Sequence, residues 1–482
     1  MSGRVSHVVV LAVASLSLHG CQDQPAPTES HVGGSLAAST TSPNQPDRYV
    51  VVFAAERVPV DFGERVVRVG GAVEATLNSI GVAAVTGLSE GAVTELAGAA
   101  DVRAVEPDVA TAPLNEDVEA DGTAADEAVR EAVALAEATA SPTTARFYAR
   151  QWNLRAVFAP EAWAAGHLGS RDVVVAILDT GIDYANPDLA GLVDLGRSIS
   201  LVPEDVTRHY PGRHPFSDLF WHGTAVASVI ASNASVLAGV NRYVTLLAVK
   251  IADSTGLRTT ASRLLSGIVY ATDQGADVIN VSNGIEFDKS AHPGIVAAFE
   301  RAVNYAFGKG ALLVSVPFND SADLDHNGDL VRLPCEAANA ICAAATGPTG
   351  AAGVNGPWAD VDAPAPYTAF GRSAVSVAAP GGTGDPGQFR RFWALCTTTP
   401  SAATVPPACR AHQPIVQGAG TSFAAPTVAG LAALLVAQLG HGKPGLIRER
   451  ILHTADDLGE PGVDPYYGKG RINIARALGL IN

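Results

Sequence analysis

The chain has 482 residues, of which 47% are hydrophobic and 17% charged, so a large core is available and wholesale disorder is excluded. Its net charge of −16 makes nucleic acid and anionic membrane surfaces poor partners. No basic cluster hides inside this average, because Lys250, Lys289, Lys309, Lys443 and Lys469 are all of its lysines.

The first feature along the chain is the apolar run over residues 8–18. It is too short to cross a bilayer, which takes about 20 residues. Arg4 and His7 precede it and Leu18-His19-Gly20-Cys21 follows it. Residues 1–21 therefore read as a signal peptide, and their last four residues resemble a lipobox. Cys21 is the candidate lipid-bearing residue, with an ordinary signal peptide as the alternative. Residues 22–47, rich in Pro, Ser, Thr and Gln, read as a flexible linker.

Residues 48–110 read as a small α/β unit. The β-branched apolar run 48–55 predicts a strand. Over 71–80 the spacing of Ala72, Ala75, Leu77 and Ile80 predicts a helix. Strands are expected at 82–85 and 102–105, with Ser89 capping a helix that runs to 99 between them. Residues 111–146 form an acidic linker. In it Glu116, Asp117, Glu119, Asp121, Asp126, Glu127, Glu131 and Glu137 face only Arg130 and the terminal Arg146, and 125–138 has a helical composition.

From 147 to 482 strands and helices alternate. Short, fully apolar strands are expected at 173–178, 246–251, 278–281 and 312–316. Helices are expected at 222–231, 260–274 and 294–307. This pattern indicates a parallel sheet covered on both faces. Setting Cys21 aside leaves Cys335, Cys342, Cys396 and Cys409. Four cysteines allow three pairings. The local ones, Cys335 with Cys342 and Cys396 with Cys409, close short loops and are the expectation. Buried free thiols are the alternative, and the absence of a CxxC or a neighbouring His pair argues against a metal site.

Three segments carry chemistry. Leu178-Asp179-Thr180-Gly181-Ile182-Asp183 follows a buried strand and puts Asp179 at its C-terminal end, where ligands gather in α/β sheets. His222-Gly223-Thr224 opens a helix. Gly420-Thr421-Ser422-Phe423-Ala424-Ala425-Pro426 opens another, running to about Leu439. Each alone is ordinary cap chemistry. Together they supply an acid, a base and a nucleophile in the order Asp, His, Ser, which is one known arrangement of a nucleophilic triad.

These motifs identify the chain as resembling the subtilisin-like (subtilase) serine peptidases over about 147–482. Residues 151–163 resemble the mature start of thermitase-like members. Residues 48–110 resemble the family's inhibitor I9-type propeptide, ending in Val105-Glu106-Pro107-Asp108. The resemblance implies a three-layer αβα domain with a mostly parallel sheet, preceded by a small α+β ferredoxin-like propeptide. It implies a serine endopeptidase zymogen acting through an acyl-enzyme. In it Ser422 is the nucleophile, His222 the proton acceptor, Asp179 its orienting partner and Asn319 an oxyanion donor. Ser282, Asn283 and Gly284 would line the substrate groove, with Gly256 on the facing edge. Polypeptides would be the substrates, the chain's own propeptide the inhibitor, and the enzyme a monomer.

Self-cleavage between 109 and 150 would release the mature enzyme, secreted or periplasmic, from an envelope-bound precursor. No cofactor is needed for the chemistry. Asp188 is a candidate for structural calcium, as a position that binds it in many subtilases, against which the loop near 233–240 that should complete the site looks short. A second calcium candidate is the loop 323–329, in which Asp323, Asp325 and Asn327 have one-three-five spacing and Pro334 stands where a Glu would complete the ligand set.

The sequence departs from the family in places. Asn283 replaces a large apolar residue, which predicts a more polar pocket. Phe318 replaces a Gly, which predicts a shifted donor or a partly filled pocket. Phe423 replaces the usual Met. Two rival readings follow: a catalytically silent protein that binds peptides in the same groove, and a processing or transpeptidation enzyme devoted to one partner.

Overall fold

The computed structural model describes residues 47–111, 141–255, 258–384, 388–399 and 405–481, together with the backbone of 118–119. The signal segment with Cys21, nearly all of the 22–47 linker, the 125–138 stretch and Gly256 lie outside the described residues.

Residues 48–107 form a βαββαβ unit. Its elements are β1 (Arg48–Phe53), α1 (Phe62–Arg68), β2 (Ala72–Leu77), β3 (Val82–Thr86), α2 (Glu90–Ala97) and β4 (Val102–Pro107). The sheet order is β2-β3-β1-β4 and the pairs are antiparallel. This is the ferredoxin-like arrangement. The run in β1 is continuous because both faces of the sheet are covered. Val51 and Phe53 pack on Phe62, Val66, Ala92 and Leu96 of the two helices, whereas Val50 and Val52 face the other way. Ser89 caps α2 as expected, its Oγ accepting the Ala92 N–H at 3.2 Å.

One expectation fails here. Residues 72–77 are a strand, not a helix, and α1 lies where the sequence reading placed nothing. Ala and Leu at helical spacing cannot outweigh pairing with β3, which engages Ala72–Val73 and Ala75–Leu77 on either side of a bulge at Glu74. After an interval, the strand β5 (Val118–Glu119) pairs with the strand Ile415–Gly418.

The larger unit contains β6 (Gly169–Asp179), β7 (Ile199–Ser200), α3 (His222–Ile230), β8 (Tyr243–Lys250), α4 (Ala261–Asp273), β9 (Val278–Val281) and β10 (Ile285–Asp288). There follow α5 (Pro293–Lys309), β11 (Leu312–Ser315), β12 (Leu330–Leu333), β13 (Ile341–Thr346), the hairpin β14 (Gly350–Ala351) and β15 (Trp358–Ala359), β16 (Val377–Pro380), β17 (Phe392–Leu395), β18 (Ile415–Gly418) and α6 (Thr421–Leu439).

Seven strands make one parallel sheet in the order β16-β13-β11-β9-β6-β8-β7. Strand β6 shows how the layers are written in sequence. Val173, Val175 and Ile177 point to a core shared with Val226, Ile230, Val428 and Leu431 of α3 and α6. Val174, Ala176 and Leu178 point to a core shared with Leu264 and Ile268 of α4 and Phe299 of α5. The fold is therefore the three-layer αβα arrangement expected. Helix α6 is apolar and long enough to cross a membrane, yet Thr421–Val436 is buried throughout as the central core helix.

Candidate active site

Strands β11, β9 and β6 are neighbours, and the chain leaving their C-terminal ends carries Asn319, Ser282 and Asp179. Parallel pairing puts these three positions along one sheet edge, the edge at which α/β sheets bind ligands.

Asp179 and His222 are both 1% exposed. His222 Nδ1 lies 2.8 Å from Asp179 Oδ1 and 2.9 Å from Oδ2. The carboxylate is oriented from behind, because Oδ1 also accepts the Thr180 N–H at 2.7 Å. His222 reaches this place because the chain after β6 and the start of α3 touch backbone to backbone. A methyl group on Gly223 would lie 2.1 Å from the Gly181 carbonyl oxygen, and Gly181 itself has φ of +104°. Both glycines are required by this approach. The Trp221 ring meets the His222 ring edge-on at 5.5 Å.

Asp218 completes this corner and was not singled out in the sequence. It is fully buried and accepts the N–H groups of Phe220, Trp221 and Thr224 and the hydroxyls of Thr180 and Thr224. Burial pushes its carboxyl up to about 6. Its readable signal was an Asp four residues before a helix-opening His, which is capping chemistry.

Ser422 stands in the first turn of α6. Its Oγ donates to the Ser282 carbonyl oxygen at 3.3 Å. Pro426 lies in the second turn of that helix, deeper than the sequence reading placed it. Its missing N–H deprives the Ser422 carbonyl of its helical partner. Ser282 Oγ donates to that carbonyl at 3.1 Å instead. The two serines are thus tied together in both directions. Asn319 is half-buried, and its Oδ1 accepts both the Thr421 N–H and the Thr421 hydroxyl at 2.9 Å. Anchoring the oxygen end turns the Asn319 amide nitrogen, with its two N–H donors, away from Thr421.

Ser282, Asn283 and Gly284 continue from β9 beside Ser422. Asn283 is buried, and its Oδ1 accepts the Gly284 N–H at 2.6 Å. Through that bond the oxygen end of the side chain turns back on its own chain.

The calcium expectations do not fit the donors. Asp188 is buried in a cradle of backbone N–H groups from Ser235, Val236 and Leu237 at 2.7–3.1 Å. Such a cradle repels a cation. In the 323–329 loop, Asp323 accepts from the Asp325 N–H and faces His326, and Asp325 accepts from Arg372 and Ser373. Asn327 joins no ligand set, and among the described residues no group of three or more His, Cys, Asp or Glu side chains is placed to hold a metal. Cys335 with Cys342 and Cys396 with Cys409 are at disulfide distance, with Cα separations of 4.7 and 5.1 Å. These are the local pairings expected.

The profile of the Subtilase family matches residues 170–470. Thermitase from Thermoactinomyces vulgaris is 31% identical over 339 residues, covering 70% of this chain and 99% of thermitase. A thermophilic serine proteinase from Bacillus sp. (strain AK1) is 30% identical over 348 residues, covering 71% of each. Among solved structures, the epidermin leader peptide processing serine protease of Staphylococcus aureus superposes with a TM-score of 0.67 at 20% identity. That match covers 90% of this chain and 98% of the other. Fervidolysin from Fervidobacterium pennivorans, a keratinolytic enzyme related to subtilisin, gives a TM-score of 0.63 at 20% identity, covering 90% and 61%.

Proposed function

The chain belongs to the subtilase family of serine endopeptidases, and from that premise we propose that it is an exported zymogen whose Asp179, His222 and Ser422 form the hydrolytic triad. The observation that carries this reading is the buried contact of His222 Nδ1 with Asp179 at 2.8 Å, on the sheet edge that also holds Ser282, the hydrogen-bond partner of Ser422. Ser422 Oγ attacks the scissile carbonyl, and His222 takes its proton and returns it to the leaving amine. Asp179 holds the tautomer that lets this happen and stabilises the imidazolium. The negative charge that develops on the carbonyl oxygen meets the Asn319 amide and the N–H groups at the start of α6. One donor of this kind lowers the barrier by roughly 3–4 kcal/mol. Water then attacks the acyl-enzyme, with His222 as base.

Residues 48–110 act as propeptide, first as folding template and then as inhibitor. A parallel sheet rich in long-range pairings folds slowly, which gives a template something to do. Several contacts support this role. Val50, Val52, Leu77, Ile80 and Val82 share a core with Leu264, Ile268, Ile295 and Phe299 of α4 and α5. Glu106 accepts the N–H groups of Gly294 and Ile295 at 2.7 and 2.8 Å, and Asp108 accepts the N–H and hydroxyl of Ser262 at 2.9 and 2.6 Å. Both carboxylates sit at the positive ends of helices. Arg301 donates to the carbonyls of Phe53 and Ile80. The tail then runs along the edge expected to face the groove, with Thr111 N–H on the Thr259 carbonyl at 2.9 Å. Further on, Val118 pairs with Gly418, just before α6.

Self-cleavage in the acidic linker, between 109 and 150, frees the enzyme. If Cys21 carries lipid, the cut separates the anchor from a monomeric enzyme that is then secreted or periplasmic. Polypeptides are its substrates. A second reading, a processing enzyme for one partner, draws on the Phe318 ring that lies against Gly284, beside Ser282 and Asn283.

A fluorophosphonate probe separates these readings, because it phosphonylates only an activated serine. The matured protein should be labelled at Ser422 and should hydrolyse unfolded casein. A folded protein that takes no label is a silent peptide binder. A labelled protein that spares casein and cuts one envelope protein is a processing enzyme.

A further inference from the structure

We propose that Phe318 closes the subsite for the residue before the scissile bond, so that this enzyme cuts after residues with small side chains (Gly, Ala, Ser). The inference rests on the triad reading above and names the substrate class of that site.

The position follows from the catalytic geometry. A carbonyl carbon attacked by Ser422 Oγ must turn its oxygen toward the Asn319 amide, while its own chain extends along Ser282–Gly284. Its side chain then enters the gap between residues 282–284 and residues 317–319. That gap is filled. A methyl group added to Gly284 would lie 2.8 Å from Cε1 and 3.2 Å from Cζ of the Phe318 ring, and 2.9 Å from the Leu333 carbonyl oxygen. The ring therefore rests on the Gly284 backbone, where an incoming side chain would otherwise go.

The ring is also pinned. The Arg332 guanidinium carbon is 4.9 Å from its centroid. Arg332 is 3% exposed and cannot step aside. It donates to Glu286 at 2.9 Å, to both oxygens of Asp320 at 2.9 and 2.5 Å, and to the Pro317 carbonyl at 2.6 Å. With its charge taken up by two carboxylates, Arg332 is a floor to the subsite and not a lure for an acidic residue. Phe318 has φ of +82°, a backbone conformation that favours glycine. Its carbonyl is held there by the Ala369 N–H at 3.1 Å. A glycine at this position would keep the backbone and empty the gap.

The test uses a tetrapeptide series that differs only in the residue before the cut (Gly, Ala, Leu or Phe), with mature wild type, Phe318→Gly and Phe318→Ala. Wild type should cleave the Ala peptide with kcat/KM at least tenfold above the Phe peptide. The Phe-to-Ala ratio should rise at least tenfold in Phe318→Gly and by a smaller factor in Phe318→Ala. The ratio cancels any change in oxyanion stabilisation common to both peptides. Wild type that cuts the Phe or Leu peptide as well as the Ala peptide overturns the proposal, and so does a ratio that neither variant moves. Failure of the triad reading looks different: no fluorophosphonate label and no cleavage of any peptide.

Discussion

Replacing Asp179 by Asn should lower kcat about 10⁴-fold at pH 7, with little change in KM. The reason lies in the hydrogen bonds on the carboxylate. Oδ1 accepts the Thr180 N–H at 2.7 Å while both oxygens face His222 Nδ1. In the variant, the one remaining carbonyl oxygen stays on Thr180, and the new amide N–H₂ is turned toward His222. Imidazole Nδ1 must then accept, so the proton sits on Nε2, where the hydroxyl of Ser422 needs a lone pair. Asp218 cannot stand in, because Thr180 separates it from the imidazole and its own oxygens are committed to the start of α3. The measurement is steady-state kinetics on a peptide substrate, beside a thermal melt to show that the variant is folded. A fall of less than tenfold would mean that Asp179 does not set the tautomer.

Converting both Glu106 and Asp108 to Ala should weaken inhibition by the N-terminal segment about 10²–10⁴-fold. Each carboxylate accepts two hydrogen bonds at the start of a helix. Hydrogen bonds to a charged group contribute about 1.5–3 kcal/mol each; counting one per acid, because the freed helix N–H groups regain water when docking is lost, the pair contributes about 3–6 kcal/mol. The apolar contact of Val50, Val52 and Ile80 remains, so binding weakens without vanishing. The assay supplies residues 22–111, wild type or doubly substituted, to the mature enzyme and reads the inhibition constants. Equal constants would show that the two acids are incidental to the docking.

The core of the larger unit was readable because its strands are buried on both faces, which writes them as unbroken apolar runs. The strand at 278–281 was read to the residue. The unit before it was harder. The helix expected at 71–80 is a strand because Ala72, Ala75 and Leu77 suit either period, and only the partner β3 decides. Helix α1 was missed because it is seven residues long and carries the β-branched pair Val66-Val67.

At the site, Asp179, His222 and Ser422 announced themselves by their glycine-flanked motifs. Asp218 did not, since a buried carboxylate satisfied by N–H donors looks like any cap. The N–H cradle around Asp188 was not legible, because only folding shows which donors surround a carboxylate. The meeting of Phe318 with Gly284 was beyond reach for a similar reason: they are 34 positions apart and are joined through the pairing of β9 with β11.

The central claim is that this triad processes its own precursor, and intact mass of purified wild type beside Ser422→Ala tests it most directly. The account predicts that wild type loses its first ~110–150 residues, the end point falling inside the acidic linker (such boundaries shift by a few residues), while Ser422→Ala keeps that linker uncut. A Ser422→Ala protein trimmed at the same bond as wild type, or a wild type that keeps its linker uncut, would contradict it.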